Sequence, residues 1–85
     1  MTREHVKFLQ VKVQAYSGYR GAERPLEFVQ AGRRYEVARV VDRWYEGGLD
    51  EKDQKLDYFK VVTVSGEEFL LRYNPLFDAW SLLVD

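Results

Sequence analysis

A small all-β domain is the fold class this sequence predicts: an antiparallel barrel or strongly curved sheet of five to six strands, with at most one short helical turn. Three observations carry that expectation. Runs rich in Val, Tyr, Phe and Trp show period-two alternation. Gly and Pro fall singly between those runs and punctuate them as turns. Little of the chain has the longer apolar spacing of a helix. At 85 residues the chain forms one domain, residues 1–85, because a second core does not fit in this length. Closing the sheet hides strand edges, which matters in a chain this rich in strand formers.

Each element follows from local chemistry. From His5 to Ala15 the alternation is imperfect: Val6 and Phe8 share one parity, and Leu9, Val11, Val13 and Ala15 the other. A strand with a bulge near Phe8–Leu9, or an entry segment followed by a strand from Leu9, reconciles the two. Tyr16–Pro25 holds two glycines and a proline and reads as a loop carrying tyrosines and arginines. Leu26–Ala31 is a short strand closed by Gly32. Arg33–Glu46 has the clearest alternation, with Tyr35, Val37, Arg39, Val41, Arg43 and Tyr45 on one face and Trp44 on the other. Tyr35, Val37 and Val41 are the expected core contacts of that strand. Residues 47–55 read as an exposed charged connection, with a helical turn possible at Asp50–Lys55. Leu56–Val64 and Glu67–Tyr73 form a hairpin about Ser65-Gly66. Asn74-Pro75 suits a helix start as well as a turn. The alternation of Trp80, Leu82 and Val84 favours a last strand, with Trp80 beside the Tyr73 side of the preceding one.

Composition excludes several functional classes. The chain has no cysteine, so it offers no disulfide framework and no thiolate zinc site. That absence suits a reducing compartment. The charged start shows no signal-peptide pattern, and no run reaches the roughly 18 apolar residues that span a bilayer. A cytoplasmic, non-membrane protein is therefore expected. Net charge is −1, which argues against strong general attraction to nucleic acid or anionic lipid. The charge is uneven: residues 1–45 carry nine Lys/Arg and five Asp/Glu, and residues 46–85 carry four and nine.

Catalysis has few candidates. His5 is the only histidine, and a hydrolytic nucleophile must pair it with Ser17, Ser65 or Ser81, each of which has a plainer turn or strand role. Asp50, Glu51, Asp53 and Asp57 lack the glycine and spacing of a calcium loop, and no phosphate-cradling glycine motif occurs. The expectation is no enzyme, no cofactor and no metal. Binding is the stronger signal. Tyr16, Tyr19, Arg20 and Arg24 share one loop, and Arg39 and Arg43, about 13 Å apart along one strand face, could track a phosphate backbone. Nearby carboxylates and snorkelling arginine stems weaken that reading. Trp44 and Tyr45 adjoin Gly47-Gly48. An exposed ring there is an interface anchor, and a buried Trp44 is a plug for the barrel mouth.

The pattern Pro25-x-x-Phe28-x-x-x-Gly32-Arg33-x-Tyr35-Glu36-Val37, followed by Val41-Asp42-Arg43-Trp44-Tyr45, is continued by Tyr58-Phe59-Lys60-Val61. Gly66, Phe69-x-Leu71-x-Tyr73 and Trp80-x-Leu82 complete it. Over roughly residues 16–84 it resembles a family of short uncharacterised bacterial cytoplasmic proteins. It is more loosely similar to small domains found beside Y-family DNA polymerase-like proteins of bacterial mutagenesis operons. The resemblance carries over no activity and no catalytic residue. It implies a bacterial cytoplasmic protein, and the looser likeness implies a DNA-repair setting. The function expected is a non-catalytic interaction module that binds a protein partner or itself. Weak binding of single-stranded nucleic acid is the alternative.

Overall fold

In the computed structural model the described residues are 7–17, 23–47 and 55–84. They form six antiparallel strands: β1 (Lys7–Ser17), β2 (Glu23–Gln30), β3 (Arg33–Glu46), β4 (Leu56–Thr63), β5 (Glu68–Asn74) and β6 (Ala79–Val84). Each strand pairs with the next in sequence, and β1 returns to β6, so the sheet closes into a barrel. Two strands change partner along their length. β1 pairs with β6 through Lys7–Val11 and with β2 through Lys12–Ser17. β3 pairs with β2 through Arg33–Glu36 and with β4 from Val37 onward.

Alternation sets what faces inward. Along β1, Val11, Val13 and Ala15 pack on the core, while Lys12, Gln14 and Tyr16 are exposed. Phe28, Phe59, Val61, Leu71 and Leu82 are essentially inaccessible, with Tyr73 and Trp80 beside them. Each such side chain contributes about 1.5–3 kcal/mol by leaving water. Aromatic packing shapes one part of this core: Phe28 stacks on Tyr35 with centroids 5.1 Å apart, and Phe69 meets both rings edge-on. Thr63 is buried but satisfied, its hydroxyl accepting the Glu67 N–H at 3.1 Å and sharing a hydrogen bond with Ser65.

Turn chemistry matches the sequence at two places. Gly66, in the β4–β5 turn, sits at φ +91°, a conformation that side chains disfavour. After β5 the Asn74 carboxamide oxygen accepts the N–H groups of Leu76 and Phe77, at 3.0 and 3.4 Å. That Asx turn leads straight into β6. The strand reading of the last segment therefore holds over the helical one, and Tyr73 lies opposite Trp80 as expected.

The structure corrects three expectations. β1 pairs with β6 without a break at Phe8–Leu9; its irregularity lies at Gln14/Ala15, opposite Pro25–Glu27 of β2. The segment read as a loop from Tyr16 to Pro25 is strand at both ends. Residues 18–22 between them, and 48–54 of the supposed helical turn, lie outside the described residues. Most consequential is β3, whose pairing with β4 shifts between Val37 and Arg39 and again between Val40 and Asp42. Each extra residue flips the parity that follows it. Val40 therefore packs on the core and Val41 is exposed, the reverse of what plain alternation predicts.

Candidate interaction surface

Antiparallel succession dictates which connections share an end of the barrel. The ends of β1, β3 and β5 and the starts of β2, β4 and β6 lie on one side of the topology, and the β2–β3 and β4–β5 turns on the other. At the first end the flanking or turn side chains are large and uncovered: Tyr16 is 53% exposed, Tyr45 54%, Leu76 69% and Phe77 68%. Leu76 and Phe77 stand out because the four-residue turn from Pro75 to Asp78 has no strand face on which to bury them. The turn itself is held firmly. The Tyr73 hydroxyl donates to the Asp78 carboxylate at 2.8 Å, and Asp78 takes a left-handed φ of 52°.

The residues singled out from the sequence separate into three groups. Tyr16, Arg24 and Tyr45 lie at this end. Arg24 sits opposite Tyr16 with its guanidinium 5.5 Å from the ring centroid, and Lys55 lies 5.2 Å from that of Tyr45. Tyr19 and Arg20 lie outside the described residues. Arg39, Arg43 and Trp44 are placed by the β3 irregularities. Arg39 is opposite Val62 and exposed, whereas Arg43 is opposite the buried Phe59. The two arginines do not share a face, so the expected cationic track along β3 does not form. Arg43 lies 4.7 Å from the Phe59 centroid and forms an ion pair with the largely buried Asp57 carboxylate at 3.5 Å. Its charge is used within the barrel.

Trp44 is not the plug of the mouth. It is half-buried on the outer face, stacked parallel on Tyr58 with centroids 5.3 Å apart. Tyr58 in turn meets Phe8 edge-on, and the Arg72 guanidinium lies 3.8 Å from the Phe8 centroid. This outer cluster of three rings and one cation borders a groove of about 500 Å³ beside Lys60, Leu70 and Leu83. Sequence reasoning missed the cluster because Phe8 on β1 and Trp44 on β3 are far in sequence from the paired Tyr58 and Arg72 of the β4–β5 hairpin. Leu76 and Phe77 were legible in principle, as two large apolar residues directly after Asn-Pro.

A second concavity, about 840 Å³, opens where β1 runs beyond the start of β6; Val13, Phe28, Tyr73, Asp78 and Trp80 contribute to its lining. Several other polar side chains are engaged locally. Ser65 donates to the Glu67 carboxylate inside its own turn, Arg34 pairs with Glu27 at 3.2 Å, and Arg33 reaches Glu67 at 3.9 Å. Among the described residues no helix is long and apolar enough to cross a membrane.

Together these features define a closed six-stranded antiparallel barrel with an apolar, aromatic end. Comparison of the chain with protein-family models, curated proteins and solved structures gave no match.

Proposed function

We propose that this chain is a non-catalytic interaction module of a bacterial cytoplasm, and that its apolar end docks a protein partner. One observation supports this reading above the others: Leu76 and Phe77 stand more than two-thirds exposed on the β5–β6 turn, and Tyr16 and Tyr45, each more than half exposed, lie near the strand ends on that same side of the topology. Exposed aromatic and large apolar side chains held on short turns are the usual anchors of protein interfaces, since little conformational freedom is lost when they are covered. Arg24 and Lys55 beside Tyr16 and Tyr45 supply a polar rim. The test is affinity capture from an extract of the source cells, with the wild-type chain compared against the double variant Leu76→Ser/Phe77→Ser. A partner held by the wild type and released by the variant supports the reading. Identical captured sets overturn it.

The outer cluster of Trp44, Tyr58, Phe8 and Arg72 favours a second reading, weak binding of single-stranded nucleic acid in a DNA-repair setting. Trp44, partly exposed above the buried Tyr58, offers a ring face for base stacking, and Arg72, Lys60 and Arg39 offer cations. Fluorescence anisotropy of labelled single-stranded DNA and RNA at two salt concentrations separates the readings. Salt-sensitive binding that falls on Trp44→Ala supports this one, and no binding at about 100 μM protein and low salt removes it.

A further inference from the structure

Arg72 is the least exposed of the described arginines, yet none of the described carboxylates pairs with it. Arg33, Arg34 and Arg43 reach Glu67, Glu27 and Asp57, whereas Arg72 has only the Phe8 ring, its centroid 3.8 Å from the guanidinium carbon. Register explains the difference. Leu71 and Tyr73 point into the core, so Arg72 points out, opposite Tyr58 of β4 and Ser81 of β6. Leu70 and Asn74 are its outward neighbours along β5, and Lys60 and Leu83 stand on the diagonals. None of these is acidic. A cation drawn partly out of water without a counter-charge is costly, and one aromatic ring offsets that only in part. Among the described residues no buried side-chain nitrogen or oxygen lacks a partner, so the unpaired guanidinium nitrogens reach solvent.

What lies beside it on the outer face is a row of donors. Arg72, Ser81 and Gln10 stand directly opposite one another on β5, β6 and β1, about 4.8 Å apart from strand to strand. Among the described residues none of their three polar groups has a hydrogen-bond partner. Arg72 and Phe8 belong to β5 and β1, with β6 between them, so the two side chains meet above β6. The short Ser81 side chain lies below, flanked by the long ones of Arg72 and Gln10. The result is a shallow site with a hydroxyl at its floor, a guanidinium on one wall and a carboxamide on the other.

We propose that Arg72, Ser81 and Gln10 form a binding site for a phosphate group. The arginine fork satisfies both oxygens of a carboxylate by itself. A tetrahedral phosphate held on the fork keeps further oxygens for the Ser81 hydroxyl and the Gln10 amide. The site shares Arg72 with the nucleic-acid reading but depends neither on that reading nor on Leu76 and Phe77, and it stands or falls separately. The phosphate belongs either to a free phosphomonoester or to a nucleic-acid backbone, and the experiment separates these sources.

Heteronuclear NMR of the isotope-labelled full chain tests this, with inorganic phosphate titrated against chloride and acetate at equal ionic strength. Saturable shifts centred on Gln10, Arg72 and Ser81 are expected with phosphate, with a Kd of about 1 mM. Arg72→Lys keeps the charge but loses the fork and should weaken binding at least about tenfold. Ser81→Ala removes one hydrogen bond and should weaken it about fivefold. Arg33→Gln deletes a cation from a surface pair elsewhere and should leave the affinity unchanged. Circular dichroism of each variant checks that the barrel remains. Thymidine monophosphate and an oligothymidylate without a terminal phosphate then identify the source. Tighter, Arg72-dependent binding of the first assigns a free monoester, and of the second a backbone phosphate. Absence of saturable shifts up to about 20 mM phosphate overturns the proposal. So does an equal response to acetate, or a loss in Arg33→Gln as large as that in Arg72→Lys.

Discussion

Replacing either of two neighbouring valines tests how β3 is threaded through the barrel. Val40 lies opposite the inaccessible Val61 and packs on the core, whereas Val41 is 39% exposed. Truncation to alanine removes two carbons, worth about 0.8 kcal/mol each when fully buried. Val40 is only partly buried, so Val40→Ala should cost about 1–1.5 kcal/mol through lost packing. Val41→Ala should stay within about 0.5 kcal/mol, the range of a surface change. Both variants lose the strand preference of valine, so that common contribution, up to about 1 kcal/mol, cancels in their difference. The remaining gap of about 1 kcal/mol corresponds to roughly 4–8 °C in Tm for a domain of this size. Thermal unfolding followed by tryptophan fluorescence reads it directly, because Trp80 sits in the core. If Val41→Ala proves as costly as Val40→Ala, or costlier, the two shifts in β3 are absent. Arg43 then has no reason to face Phe59.

Removing the Tyr73 hydroxyl with Tyr73→Phe takes away its 2.8 Å hydrogen bond to Asp78; a bond to a charged acceptor contributes about 1.5–3 kcal/mol. Urea unfolding should show a loss in the lower part of that range, since the contact is only partly buried. Gly66→Ala probes backbone alone: an added Cβ meets nothing within 4 Å, but φ is +91°. A loss of about 1–2 kcal/mol in the same assay is expected, and an unchanged midpoint contradicts the assigned turn.

The sequence was legible where one face of a strand is apolar and the turn residues have a single use. The span of β3, the Ser65-Gly66 hairpin and the final strand all follow from such signals, and the pairing of Tyr73 with Trp80 comes with them. Parity within β3 was not legible. An inserted residue leaves composition and local spacing unchanged, and only the partner strand shows that Val40 rather than Val41 meets Val61. The same blindness placed Arg39 and Arg43 on one face. The outer cluster was hidden for a related reason. Tyr58 lies between Asp57 and Phe59, both inward-facing; Trp44 meets it from the paired strand β3, whereas Phe8 reaches it from β1, which does not pair with β4. At the barrel end, by contrast, the unusual chemistry was local. Leu76 and Phe77 occupy a turn that offers them no cover.

The pairing of β1 with β6 also governs when the barrel can exist during synthesis. Lys7 lies beside Val84 and Val11 beside Trp80, so the first of these strands to leave the ribosome waits for the last. Until Ala79–Val84 has emerged, the growing chain lacks Trp80 and Leu82, two of its core side chains. Its hairpins up to that point have an apolar face and no lid. Joining the ends of so long a segment adds entropy cost only slowly with length, but contacts this distant in sequence make folding slow. The nascent chain therefore passes through a period in which its β1 edge and half-built core face the cell's other proteins. Closure of the sheet waits for the last strand.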